Sequence, residues 1–154
     1  MVEKTNTVHD SDFDQITDNI FIGTNFCCQT HFDQHLLDLG IKADISLEEE
    51  RVDAPYGVDT YIWLPTTDHT PPSIEQLWIG SANIQIFIEM GKKIYVHCKN
   101  GHGRAPTLVA GYLMTQGKTL EEALAIISEK RKGAHINDTQ IKGLEAFQAT
   151  FEQE

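Results

Sequence analysis

Val96-His97-Cys98-Lys99-Asn100-Gly101-His102-Gly103-Arg104-Ala105-Pro106-Thr107 is the stretch that decides how this chain is read. It follows Lys93-Ile-Tyr-Val-His97, an apolar, β-branched and aromatic run that reads as a strand. It leads into Ala105 to Gln116, which reads as a helix with Pro106 just inside its start, where a missing N–H costs least. A cysteine, five intervening residues and an arginine thus bridge a strand and a helix. A helix N-terminus presents unpaired N–H groups and the positive end of its dipole. A glycine-bearing loop in front of it can turn further amides inward and make an anion cradle of phosphate size. Gly101 and Gly103 permit the close backbone approach, and the planar fork of Arg104 can grip two phosphate oxygens. A thiol at such a helix end beside an arginine ionises more readily than a free one, so Cys98 is a candidate nucleophile toward a bound phosphoryl group.

The flanking sequence alternates strand and helix signals. Asn19–Gly23, Lys42–Leu47 and Thr60–Leu64 read as strands, the last ending at Pro65. Thr30–Leu39 reads as a helix, with Phe32, Leu36 and Leu39 on one face and Gly40 as its stop. Ser73 with Gln76 makes a capping box for a helix to about Met90; Thr119 with Glu122, and Asn137 with Gln140, start two more. Between Thr66 and Ser73 lies a loop holding Asp68, His69, Pro71 and Pro72. The interleaving indicates an α/β layer structure. No repeat or linker divides the chain, so one domain over 13–154 is expected, preceded by a frayed polar segment 1–12.

Composition narrows the partners. The 154 residues carry 12 Lys+Arg against 23 Asp+Glu, a net charge of −11. A balance this acidic opposes nonspecific binding to nucleic acid or to an anionic membrane surface. No apolar run approaches the roughly 20 residues of a membrane span, and no secretory signal is visible at the start, so a cytoplasmic protein is expected. The charge is uneven: Lys92, Lys93, Lys99 and Arg104 stand together without an acid, and Lys130-Arg131-Lys132 is expected to join the same rim. That distribution suggests an acidic body with one positive pocket. Cys27 and Cys28 lack any site context and read as ordinary small side chains, and the seven histidines show no metal-binding spacing.

His97-Cys98-x5-Arg104 resembles the signature of the cysteine-based protein tyrosine phosphatases, in particular their small dual-specificity branch. Ile16-Thr-Asp-Asn-Ile-Phe-Ile-Gly23 and the region from Leu64-Pro65 to Pro71-Pro72 are similar to that branch as well. The resemblance implies a single compact α/β domain with a central mixed sheet flanked by helices. It implies a phosphate monoester hydrolase acting through a phosphocysteine on phosphotyrosine, with or without phosphoserine and phosphothreonine. Cys98 would be the nucleophile, Lys99 to Arg104 the phosphate-binding loop, and His97 a support for the loop and thiolate through hydrogen bonding. The branch also uses a general acid some thirty residues upstream, and Asp68 stands at that spacing, with His69 as an adjacent competitor. Gln140 would either position the hydrolytic water or simply cap its helix. No metal or other cofactor is implied, the expected partner is a phosphorylated protein or small phosphate monoester, and the oligomeric state is left open.

Two features depart from the common pattern. Ala105 stands where the family usually has Ser or Thr, a variant resembling the phosphatases of regenerating liver and some plant glucan phosphatases, so slow breakdown of the phosphocysteine is expected. Lys99 and His102 place basic residues where phosphoinositide 3-phosphatases also have them, which keeps a phosphoinositide, inositol phosphate or phosphoglucan substrate in play. A weakly catalytic phospho-binding module and a rhodanese-type sulfurtransferase are the rivals from other classes.

Overall fold

The run Lys93–His97 forms β5, the middle strand of a five-stranded sheet ordered β1-β2-β5-β3-β4. The computed structural model describes residues 12–25 and 32–152. In chain order its elements are β1 (Phe13–Gln15), β2 (Ile20–Gly23), α1 (Gln34–Asp38), β3 (Ile41–Glu48), β4 (Thr60–Thr66), α2 (Ile74–Glu89), β5, α3 (Arg104–Thr115), α4 (Leu120–Lys130) and α5 (Asp138–Ala149), with a 3-10 turn over Thr150–Glu152. β1 pairs antiparallel with β2 while β2, β5, β3 and β4 run parallel, so the sheet is mixed.

Alternation along the strands sorts side chains between the two faces. Ile20 and Ile22, Ala43, Ile45 and Leu47, and Ile94 and Val96 join one core with Leu77, Ile84, Leu108, Ile127, Leu144 and Phe147 from the helices α2 to α5. The intervening Phe21 and Tyr95 turn to a smaller cluster with Phe32, Leu36 and Ile41. Each fully buried aliphatic or aromatic side chain contributes about 1.5–3 kcal/mol relative to exposure. Arg131, Asp44 and His97 are also fully buried, and these polar groups mark the site.

The three expected capping boxes, at Ser73, Thr119 and Asn137, are all formed. Three elements differ from expectation by more than a single residue. β4 continues through Pro65 to Thr66, because it is an edge strand and the pairing with β3 shifts register between Ser46 and Glu48, which frees it from needing the proline's N–H. The first helix is only Gln34–Asp38, because the Asp33 side chain accepts from the His35 N–H and starts it there. Its expected start at Thr30, like Cys27, Cys28 and residues 1–11 of the frayed segment, lies outside the described residues. β1 has no counterpart in the sequence reading; a three-residue strand carries little periodicity of its own and exists by pairing with β2. No helix among the described residues is long and apolar enough to cross a membrane.

Candidate active site

β5 ends at His97, and Cys98, buried, opens the loop that reaches α3. The loop sits at the C-terminal ends of parallel strands, the usual place for a site in such sheets. On one side the Asn25 amide donates to the Lys99 carbonyl at 3.3 Å. Gly101 takes φ +70°, and a Cβ there would lie 2.7 Å from both the Gly23 carbonyl oxygen and the Arg131 guanidinium. Only glycine meets both demands.

Arg131 holds the loop from behind. Its Nε donates to the Gly101 carbonyl at 2.8 Å and its Nη2 to that of Asn100 at 3.2 Å. The guanidinium is held in turn by Asp14 at 2.8 Å and Asp12 at 3.3 Å. In a trans peptide the N–H points opposite to the C=O. The amides of Gly101 and His102 therefore face away from Arg131, on the side where an anion would sit. The expectation that Arg131 joins a solvated rim is corrected: its side chain is buried, because the carbonyls and carboxylates around it replace water. Lys92 and Lys93 do not line the pocket either. They lie at the far end of β5, where Lys92 pairs with Asp59 at 2.9 Å and Lys93 donates to the Leu39 carbonyl at 3.0 Å.

α3 starts at Arg104, with Gly103 as N-cap and no side chain closing its first turn. Arg104 is buried, and its Nη1 donates to Glu50 and to the Thr66 carbonyl, each at 2.9 Å. Burial pushes the Glu50 carboxyl up, but the hydrogen bond and charge of Arg104 prevail and hold it below the usual range. The Nε of Arg104 stands 3.4 Å from Asp68 Oδ1. Asp68 is half exposed on the loop after β4, where it accepts from the His69 N–H at 2.9 Å. His69 itself is well exposed, adopts φ 69°, and keeps its ring 3.6 Å from Asp68.

The N-terminus of α5 clasps the Asp68 loop. Asn137 Nδ2 donates to the His69 carbonyl at 3.0 Å, and Gln140 Nε2 to that of Thr70 at 3.3 Å. Gln140 is buried and also closes its own capping box, so capping and loop-holding are both visible roles. Cys98, Arg104 and Asp68 come together around a cleft of about 190 Å³, with Asn100, Gly103 and Gln140. The cleft is also lined by three histidines, His69, His102 and His135, and the His135 amide donates to the His102 carbonyl at 2.6 Å. Lys99 is exposed, and neither it nor Gly101 lines the cleft.

His97 is fully buried on the opposite side, with Nε2 at 3.0 Å from Asp44 and 3.8 Å from Asp53. Burial disfavours its charged form, but Asp44 and Asp53 outweigh that and hold its pKa above the usual histidine value. The sequence reading did not find Glu50, Arg131, Asp44 or Asp53 as site residues. Each is far from the loop in the chain, and no local pattern marks it.

A strand-loop-helix with a buried cysteine and arginine at its two ends, set on a mixed parallel sheet, defines the class. The chain belongs to the dual specificity phosphatase catalytic domain family, which it matches over residues 20–150. It is 36% identical over 93 residues to protein tyrosine phosphatase type IVA 3 of Mus musculus, covering 59% of this chain and 53% of that protein. It is likewise 36% identical over 86 residues to phosphatidylglycerophosphatase and protein-tyrosine phosphatase 1 of Homo sapiens, over 54% of this chain and 43% of that protein. The chain thus spans about half the length of the relatives it matches. Among solved structures it resembles PTPMT1 in complex with PI(5)P, with a TM-score of 0.78 at 24% identity over 92% of this chain and 97% of that one. It also resembles a mouse putative dual specificity phosphatase complexed with zinc tungstate, with a TM-score of 0.80 at 20% identity over 99% and 94%. At these identities the likeness is one of fold.

Proposed function

We propose that this chain hydrolyses phosphate monoesters through a phosphocysteine, with phosphotyrosine of proteins as the main substrate class and phosphoserine or phosphothreonine as further ones. The observation that carries the reading is the meeting of Cys98, Arg104 and Asp68 around one small cleft. The phosphoryl group rests on loop amides, those of Gly101 and His102 among them, and on the fork of Arg104. The Cys98 thiolate attacks phosphorus, the bond to the leaving oxygen breaks, and the Asp68 carboxyl gives that oxygen its proton. In the second half the Asp68 carboxylate takes a proton from water, the water oxygen attacks phosphorus, and the S–P bond breaks to release phosphate and thiolate. Gln140, on the cleft wall, orients that water, and His97 supports the loop from below. No step calls for a metal or other cofactor. We place the activity in the cytoplasm, where a thiol nucleophile stays reduced.

The test is hydrolysis of an aryl phosphate. Cys98→Ser is expected to abolish it, and Asp68→Asn to lower it by roughly 10²-fold or more for a poor leaving group. Activity surviving in Cys98→Ser, or persulfide formation with thiosulfate in its place, overturns the reading. Tight phosphopeptide capture without turnover would instead make the chain a binding module.

A second reading, a multiply phosphorylated non-protein substrate such as a phosphoinositide, inositol phosphate or phosphoglucan, draws on His69, His102 and His135 around the cleft. The PI(5)P in the PTPMT1 structure and the lipid phosphatase name of the human relative point the same way. A panel of phosphopeptides, phosphoinositides and phosphoglucan separates the two: His102→Ala and His135→Ala should impair the multiply charged substrates more than the aryl phosphate.

A further inference from the structure

Asn137, Gln140 and Gly143 follow one another at three-residue spacing along α5 and meet three consecutive residues of the Asp68 loop in the same order. Asn137 Nδ2 and Gln140 Nε2 donate to the carbonyls of His69 and Thr70, and Gly143 faces the ring of Pro71. A Cβ on Gly143 would lie 2.5 Å from Pro71 Cβ and 2.6 Å from its Cγ, and among the described residues the three nearest atoms all belong to that ring. Carbon atoms in ordinary contact stand about 3.5–4.0 Å apart. Gly143 lies inside α5 and is not among the glycines with positive φ, so its backbone asks for nothing that alanine lacks. Alanine would hold the helix better. The demand that glycine meets at this position is the approach of Pro71.

That approach reaches Asp68 through a closed turn. The N–H and the hydroxyl of Thr70 both donate to the Thr67 carbonyl, at 3.1 and 2.7 Å, with Asp68 and His69 as the central pair. His69, at φ 69°, supplies the left-handed residue of the turn. A turn closed in this way moves as a unit, and a proline ring cannot swing out of a crowded contact. Displacement at Pro71 therefore carries Asp68 with it. Little else sets the height of Asp68 over the cleft: its half-exposed carboxylate accepts from the His69 N–H and stands 3.4 Å from Arg104 Nε. Widening the contact with Pro71 to an ordinary separation moves the turn by about 1 Å, and a misplacement of that size can slow a catalysed step by roughly 10²-fold.

We propose that Gly143 is a positioning residue for the general acid: its missing side chain lets the Asp68 turn settle against α5, and the depth of that seat sets where the Asp68 carboxyl stands relative to the leaving oxygen. The proton passes from Asp68 to that oxygen, and Gly143 touches neither. The kinetic part of this inference rests on the phosphatase reading; the seating of the turn does not.

The test compares wild type and Gly143→Ala on two esters, phenyl phosphate, whose leaving group needs the proton, and dinitrophenyl phosphate, whose leaving group departs as its anion. The readout is kcat/KM, which reports transfer to Cys98 and is blind to slow breakdown of the phosphocysteine. For phenyl phosphate it is expected to fall at least about tenfold, and for dinitrophenyl phosphate to stay within about twofold. The backbone amide shifts of Asp68, His69 and Thr70 should move in the same variant. Pro71→Ala, which removes the ring from the other side of the contact, should give the same split by a smaller margin, and it serves if Gly143→Ala does not fold. With an active wild type, an equal loss on both esters, no loss on either, or unmoved amides at 68–70 overturns the proposal. Moved amides in a chain whose wild type hydrolyses neither ester would sustain the seating of the turn and sink the phosphatase reading instead.

Discussion

Arg131 reaches across 30 residues of chain to donate its Nε to the Gly101 carbonyl at 2.8 Å, and this bond fixes which way the loop's peptide planes face. A residue that never enters the cleft thereby decides whether the cleft offers amides or carbonyls to an anion. Arg131→Met should cost about 2 kcal/mol, the scale of lost hydrogen bonds to a charged group, and lower Tm by roughly 4–8 °C. Hydrolysis of an aryl phosphate should fall at least about tenfold, which corresponds to 1.4 kcal/mol on the barrier. Arg131→Lys, able to serve one carbonyl, should fall between. Full activity in Arg131→Met would show that the loop keeps its shape unaided.

Gly101 and Gly117 separate backbone strain from crowding. Both have positive φ, but a Cβ on Gly117 meets nothing within 4 Å, whereas one on Gly101 meets Gly23 and Arg131. Gly117→Ala should lose about 1–2 kcal/mol, the left-handed strain alone. Gly101→Ala should lose clearly more in the same denaturant titration, together with phosphate binding. Equal losses would mean that the loop moves aside freely.

Glu50 gives stability a pH signature. Its carboxyl is held below the usual range, so its contribution is present above the unfolded value of about 4.3 and is lost as pH falls through the lower folded value. Thermal melts of the wild type and Glu50→Gln should therefore differ at pH 7 and converge as pH drops below about 4. Because Glu50 is 42% exposed, the gap is a small one, and added salt should narrow it. A gap that is the same at pH 3.5 and pH 7 would contradict the pairing.

Ala105 is fully buried in the first turn of α3, and the nearest hydroxyl along the helix, Thr107, donates to the Gly103 carbonyl at 2.7 Å. No hydroxyl at position 105 assists departure of the thiolate. Rapid mixing should show a burst of aryl leaving group followed by slow turnover. Ala105→Ser should shrink the burst and raise kcat by about tenfold, 1.4 kcal/mol on the second barrier. The absence of a burst, with turnover the same in Ala105→Ser, would contradict it.

What the sequence made legible was whatever is written locally. The strand Lys93–His97 was read to the residue, and the helix after it began one residue early, at Arg104, because Gly103 takes the cap. Each of the three capping boxes rests on two residues three apart, a distance at which side chains meet whatever the rest of the chain does. Cys98 and Arg104 stand out because the spacing between them is itself a pattern, and the resemblance it carries points on to Asp68; the structure brings all three to one cleft. Glu50 looked like one acid in a run of three, yet it meets Arg104 across 54 residues. Arg131 looked like one base in a basic trio, and it is the buried one. Burial of a charge depends on which distant partners arrive, and neither composition nor periodicity records that.

The position of β5 has a consequence for how the molecule comes into being. The strand that leads into Cys98 is inserted between β2 and β3, both made long before it, while Arg131 and Gln140, which brace the loop and its neighbour, are made later. A chain growing from the N-terminus therefore carries its thiol for some forty residues before the surroundings that shape it exist. Phosphate recognition is in this sense a late product of folding: a nascent or truncated chain ending before Arg131 would hold the signature residues without the bonds that turn their amides toward an anion.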